Sequence, residues 1–164
     1  MSPRTRWNRR HKVVLALLLA YATLMTFGGC ADRLLLFPST KPIDPGRAQR
    51  FTINDDGRRL EIFKARSPAA AADVEPQAFV LEFCGNATRA EQITQYVADR
   101  WSRFPVEVWV MNYPGYGGSE GGAKLSLIAP AATAAYEELA KRAGDRPIFL
   151  AGNSLGSVPA LYPV

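Results

Sequence analysis

Gly152-Asn153-Ser154-Leu155-Gly156 is the stretch of this sequence best suited to covalent chemistry. A serine with glycines two places before and after it fits a tight strand-to-helix turn that exposes the hydroxyl. The apolar run Ile148–Ala151 precedes the motif directly, and a helix is expected to start just after it. In that setting the helix N-terminus favours developing negative charge. The pattern alone arises by chance in roughly one chain in twenty of this length. Its placement between a strand and a helix start is what raises it above a surface Gly-Ser turn. Ser154 is therefore the candidate nucleophile for attack on a carbonyl carbon. The backbone N–H of Leu155 is the candidate donor to the resulting oxyanion.

Two further loops bear on that site. Phe83-Cys84-Gly85-Asn86-Ala87 ends another apolar run, and a backbone N–H near Asn86 is a candidate second oxyanion donor. A plain strand-end turn is the simpler reading of that loop taken alone. The second loop is the glycine-rich stretch 112–122. It fits no phosphate-binding pattern. Glu120 stands where the third glycine of Gly-x-Gly-x-x-Gly would follow Gly115 and Gly117, and Lys124 follows Ala123 instead of glycine.

A nucleophilic serine needs a base to accept its proton and an acid to orient that base. The ten residues after Ser154 contain neither an acid nor a histidine, and the sole histidine is His11, near the N-terminus. Cys84 is an alternative nucleophile, but no base neighbours it in sequence. One histidine and two separated cysteines make a zinc site unexpected. No cofactor is implied.

The elements that must position Ser154 follow from periodicity. Phe51–Asn54 and Leu60–Ala65 read as strands joined by an Asp-Gly hairpin turn. Ala78–Phe83 and Val106–Met111 read as buried strands. Thr88 and Glu91 suggest a capping box for a helix through about Trp101, with Ile93 and Val97 on its core face. Ser126 is expected to cap a second helix running to about Arg142. Ile128, Ala132, Ala135 and Leu139 lie on one face of it, and Pro130 is expected in its first turn. Pro159 and Pro163 would disturb a helix after Ser154. A hairpin followed by β-α-β-α-β predicts an α/β fold, a mostly parallel sheet with flanking helices.

The N-terminus reads as a targeting segment. Arg4, Arg6, Arg9, Arg10 and Lys12 precede the apolar run Val13–Phe27, which ends at Gly28-Gly29-Cys30. A run of 15 residues is short of the roughly 20 that span a bilayer, so a signal peptide over residues 1–29 is expected. Small residues before the cysteine resemble a bacterial lipobox, although Phe27 stands where leucine is usual. That resemblance implies lipidation of Cys30 and a membrane-anchored lipoprotein of the bacterial cell envelope, facing the periplasm or exterior. An uncleaved signal anchor is the alternative. Residues 30–50, with Pro38, Pro42, Pro45 and Gly46, read as a tether or lead-in loop to a domain over 51–164.

Composition is that of an ordinary globular chain, 48% apolar and 21% charged. The net charge of +5 belongs to the leader, because from Cys30 onward acids and bases balance. Composition offers no basic patch for nucleic acid.

Three motifs occur in order across residues 79–157: Phe-Cys-Gly-Asn-Ala, Asn-Tyr-Pro-Gly-Tyr-Gly-Gly-Ser-Glu-Gly and Gly-Asn-Ser-Leu-Gly-Ser. In that order they resemble the ABHD-type (BEM46-like) serine hydrolases of the α/β-hydrolase superfamily. Cys84 replaces that family's usual histidine, which bears on loop geometry and not on reaction class. The resemblance implies an α/β-hydrolase fold and Ser154 as the nucleophile toward esters, thioesters or amides. It implies oxyanion donors at Leu155 and near Asn86, and a small-molecule or lipid acyl substrate. In that family the acid and base follow the serine in the chain, as do about three more strands. The 164 residues are accordingly expected to be the N-terminal part of a hydrolase, truncated after the nucleophile turn, with Ile148–Ala151 left as an apolar sheet edge. A catalytically inactive lipoprotein with an interaction or vestigial role is the competing expectation.

Overall fold

The computed structural model describes residues 8–27, 30–70 and 74–162. The chain divides into two compact units, Met1–Leu35 and Leu36–Val164. The first contains helices α1 (Arg9–Phe27) and α2 (Cys30–Leu35). Among the described residues, no helix is long and apolar enough to cross a membrane. Gly28 and Gly29 of the expected cleavage site, the side chain of Cys30, and Pro163 lie outside the described residues.

The second unit holds strands β1 (Gln49–Asp55), β2 (Arg58–Arg66), β3 (Ala78–Phe83), β4 (Val106–Met111) and β5 (Ile148–Gly152). They form one sheet in the order β1-β2-β4-β3-β5. The β1–β2 and β2–β4 pairs are antiparallel, while β3 pairs in parallel with both β4 and β5. Asp56 and Gly57 turn the β1–β2 hairpin, and the Asn54 carboxamide accepts the Gly57 N–H at 2.9 Å. Every residue of β4 is buried, as expected for an internal strand covered on both faces. β5 ends the sheet order, and its Phe149 is 48% exposed. Helix α3 (Ala90–Arg100) packs on β2 and β4, and helix α4 (Leu125–Ala143) packs on β1 and β3.

Both helices differ in detail from the sequence expectation. The capping contact of α3 falls one residue later than Thr88–Glu91: the Gln92 carboxamide accepts the Arg89 N–H at 2.8 Å. Its buried side is Ala90, Glu91, Thr94 and Ala98, while Ile93 and Val97 are only half-buried. The shift has a polar cause. Glu91 is drawn inward by the Arg89 guanidinium at 2.9 Å and the Asn112 amide at 2.8 Å.

In α4 the expected stripe is buried, with Ala131 and Ala143 added to Ile128, Ala132, Ala135 and Leu139. The helix starts at Leu125, so Pro130 sits in its second turn and not its first. Its missing N–H therefore removes a bond to the Ser126 carbonyl. Gly144, at φ 61°, ends the helix with its N–H on the Ala140 carbonyl.

Residues 36–48 are packed on the domain and are not a loose tether. Leu36 and Ala48 are buried. The Ser39 carbonyl accepts from the Arg89 guanidinium at 2.7 Å and from the Gly117 N–H at 2.9 Å, and the Lys41 carbonyl also accepts from Arg89 at 2.7 Å. Arg89 is thus a buried clamp between this segment and Glu91.

The network continues to the centre of the fold. The buried Asn112 amide donates to Glu61 at 2.7 Å and to Glu91 at 2.8 Å, and its oxygen accepts the Ala90 N–H at 2.9 Å. Glu61 in turn accepts from the Gly118 N–H and pairs with Arg50. Removing one partner from such a network leaves the others desolvated and unmet. Asn112→Ala is expected to destabilise the domain by about 3 kcal/mol. Urea unfolding monitored by tryptophan fluorescence measures the loss.

Candidate active site

The nucleophile turn depends on two close backbone contacts. A Cβ on Gly152 would stand 2.1 Å from the Gly156 carbonyl oxygen, and a Cβ on Gly156 would stand 2.1 Å from that of Phe83. Neither position admits a side chain. The Asn153 N–H donates to the Phe83 carbonyl at 3.2 Å, and the Gly156 N–H donates to that of Asn153 at 2.9 Å. Between them Ser154 takes φ 53° and is exposed. A left-handed serine costs about 1–3 kcal/mol and persists only where its surroundings impose it. Here the imposing element is the end of β3.

After Ser154 the chain makes two short 3-10 turns, Ser154–Ser157 and Pro159–Leu161, instead of the expected continuous helix. Pro159 lacks the N–H that an α-helix would bond to the Leu155 carbonyl; that carbonyl accepts instead from Val158 at 3.3 Å. Leu155 lies in the first of these turns, where backbone N–H groups have no intrahelical acceptor.

The loop after β3 lies against the serine. A Cβ on Gly85 would stand 3.8 Å from the Ser154 Cβ. The structure therefore brings together the two segments singled out in sequence, 83–87 and 152–156. Two tyrosines of the glycine-rich stretch hold this loop. The Tyr113 hydroxyl donates to the Cys84 carbonyl at 2.7 Å, and the Tyr116 hydroxyl donates to the Asn86 side-chain oxygen at 2.9 Å. Their rings meet edge-on at 5.9 Å. Burial raises both phenols above their ordinary range, which keeps them protonated as donors. Beside the turn, the Leu155 side chain lines an apolar cleft of about 200 Å³ with Ile128, Ala129 and Val158.

Cys84 is buried, and burial, followed by the charges of Glu82 and Glu91, pushes its thiol up. It is a packed thiol and not an accessible thiolate, which removes the alternative nucleophile. His11 belongs to the first unit, so the compact unit that carries Ser154 contains no histidine. Among the described residues, no group of histidine, cysteine, aspartate or glutamate side chains can hold a metal ion.

Sequence reasoning missed the supports of the site. Asn112, Glu61, Arg89 and the paired tyrosines make contacts that no local pattern encodes. One signal was present: Glu91 and Thr94 lie among apolar positions of α3, a hint of a buried polar partner. Glu82, near the end of β3, is a further missed group. It is half-buried, and burial raises its carboxyl above the ordinary value.

No protein-family model matches the sequence, and no curated protein sequence matches it. Solved structures do match. An esterase of Pyrococcus furiosus aligns at TM-score 0.56 and 15% identity, over 76% of this chain and 48% of its own. Est1E of Butyrivibrio proteoclasticus, solved with ferulic acid bound, aligns at TM-score 0.60 and 19% identity, over 69% and 46%. A lidless serine hydrolase of Xanthomonas campestris aligns at TM-score 0.55 and 17% identity, over 75% and 58%. The chain thus spans about half the length of the structures it matches. It has the α/β-hydrolase fold.

Two outcomes follow from the geometry. Gly156→Ala is expected to break the contact with β3 and leave little folded protein, read by circular dichroism and thermal melting. Glu82→Gln is expected to stabilise the domain at neutral pH. A raised carboxyl binds its proton more tightly folded than unfolded, so stability falls as pH rises above the ordinary carboxylate range. The gain from the substitution should vanish below about pH 4, where both states are protonated; melting temperature against pH checks this.

Proposed function

We propose that this domain belongs to a serine hydrolase that cleaves acyl esters, thioesters or amides through an acyl-enzyme on Ser154. The observation that carries the reading is the left-handed, exposed serine held between two obligatory glycines, with the Gly85 loop against it. The motif resemblance to ABHD-type (BEM46-like) hydrolases supports the same branch of the superfamily. In this reading Ser154 Oγ attacks the substrate carbonyl carbon. The N–H groups of Leu155 and of the Asn86 loop hold the oxyanion, and the leaving group departs protonated. Water then releases the acid from the acyl-enzyme. The apolar cleft beside Leu155 suits the acyl chain.

The base is not among the residues of this unit. The proposed mechanism therefore takes the acid and histidine from outside these 164 residues, in keeping with the chain order of the superfamily. The lone His11 also favours a second reading, in which the unit serves as a non-catalytic interaction module.

A fluorophosphonate probe separates the two. The first reading expects slow labelling of Ser154 that exogenous imidazole accelerates by supplying the missing base, and that Ser154→Ala abolishes. Mass spectrometry locates the adduct. A folded chain whose serine stays unlabelled with imidazole present would favour the interaction module.

A further inference from the structure

At the end of the parallel strands opposite Ser154, cations gather around one buried acid. Glu107 is the second residue of β4 and is 2% exposed. Its carboxylate accepts the Trp109 indole N–H at 2.8 Å, and the Trp109 ring meets Phe51 edge-on at 4.7 Å. Two guanidiniums reach that carboxylate from different elements. Arg66 Nε, at the end of β2, lies 3.5 Å away, and Arg142 Nε, in the last turn of α4, lies 3.8 Å away. The Nη2 groups of the same two arginines lie 3.6 and 3.8 Å from the exposed carboxylate of Glu75. Lys64 is two residues before Arg66, on the same face of β2, and its Nζ stands 5.6 Å from the centre of the Phe51 ring. A cleft of about 390 Å³ opens onto these groups, with Arg47, Lys64, Arg66 and Arg142 in its walls. Among the described residues, Glu107 is the only acid that lines it.

Two features set this cleft apart from a solvated charged surface. Acids and bases balance from Cys30 onward, so four cations against one acid is a local segregation of charge. The arginines are also incompletely paired. All four of their carboxylate contacts are 3.5 Å or longer, outside the roughly 2.7–2.9 Å of a charge-assisted hydrogen bond. All four use the Nε–Nη2 edge, and neither Nη1 has a protein acceptor among the described residues. Guanidiniums already gathered on one edge, with donors spare on the other, close on an added oxyanion at little ordering cost. The Glu107 carboxylate spaces the two arginines without matching the charge of four cations. A phosphate group suits what remains, since it brings up to two negative charges and three acceptor oxygens. The volume leaves room for a small organic part. Open α/β sheets take their substrates at the carboxyl ends of the strands, so a ligand here does not meet the nucleophile.

We propose that this cleft binds the phosphate group of a small soluble molecule between Arg66 and Arg142, with Lys64 and Arg47 beside it. Glu75 competes for the same two guanidiniums as a tethered carboxylate. Its side chain is 71% exposed and touches them only at long range, so an incoming dianion displaces it readily. Bound phosphate ties the end of β2 to the end of α4. The site stands whether or not Ser154 is a nucleophile.

Titration of the 164-residue chain in maltoside micelles tests it, read by the NMR signal of the Trp109 indole N–H. The probes are inorganic phosphate and glycerol 3-phosphate, with chloride at equal ionic strength as the control. Both phosphates are expected to shift the signal saturably, and chloride is not. Arg66→Gln and Arg142→Gln are each expected to weaken binding by about tenfold. Lys124→Gln, just before the other end of α4, is expected to leave it unchanged. Glu75→Gln is expected to tighten binding several-fold, and this exposed position keeps the test decisive should an arginine variant fail to fold. Phosphatidic acid added to the same micelles separates a lipid headgroup from a soluble phosphate. Shifts that never saturate, equal shifts with chloride, binding of inorganic phosphate but not of glycerol 3-phosphate, stronger binding of phosphatidic acid than of either, an equal loss in Lys124→Gln and Arg142→Gln, or weaker binding in Glu75→Gln would each overturn the proposal.

Discussion

The contact between the Phe83 carbonyl and the backbone of residues 153–156 is the constraint on which the site depends. It puts the ends of β3 and β5 within van der Waals distance, excludes any side chain at Gly156, and accepts the Asn153 N–H. The left-handed conformation of Ser154 follows from that closeness. Local strain at one residue is thus held by the pairing of two whole strands.

A second layer holds the loops over that contact, and it is polar. Asn112, Glu61, Glu91 and Arg89 are all buried and mutually bonded. Together they join β2, the start of α3, the glycine-rich loop and the lead-in segment. Charged groups buried in this way are held by pairing and hydrogen bonding to one another. Their geometric effect is to fix where the chain enters the unit. The tyrosine pair carries this order to the Cys84–Ala87 loop, and so to the surroundings of Ser154. The entry point of the chain and the loop beside the nucleophile are parts of one hydrogen-bonded assembly.

The candidate nucleophile Ser154, the tight turn that carries it and an apolar cleft beside Leu155 lie together at one end of the parallel strands. The group that would take the serine proton does not lie in this unit. The matched structures are about twice as long as the aligned region, and β5, the last strand of the sheet order, exposes Phe149 at its margin.

What the sequence determined by itself was local. Apolar runs marked β3, β4 and β5 to within a residue, since a buried strand must be apolar on both faces. The two hairpin strands β1 and β2 begin two residues before the expected Phe51 and Leu60, because their first residues are polar. The α4 stripe was legible because alanine and leucine repeat at helical spacing. Gly152 and Gly156 were legible because steric exclusion leaves a mark that depends on residue type alone. Tertiary structure decided the rest. The shift of the α3 cap, the inward turn of Glu91, the packing of residues 36–48 and the juxtaposition of Gly85 with Ser154 all depend on partners 20 to 80 residues away. Neither periodicity nor propensity carries information over that separation, because those contacts form only when the sheet order β1-β2-β4-β3-β5 brings the segments together.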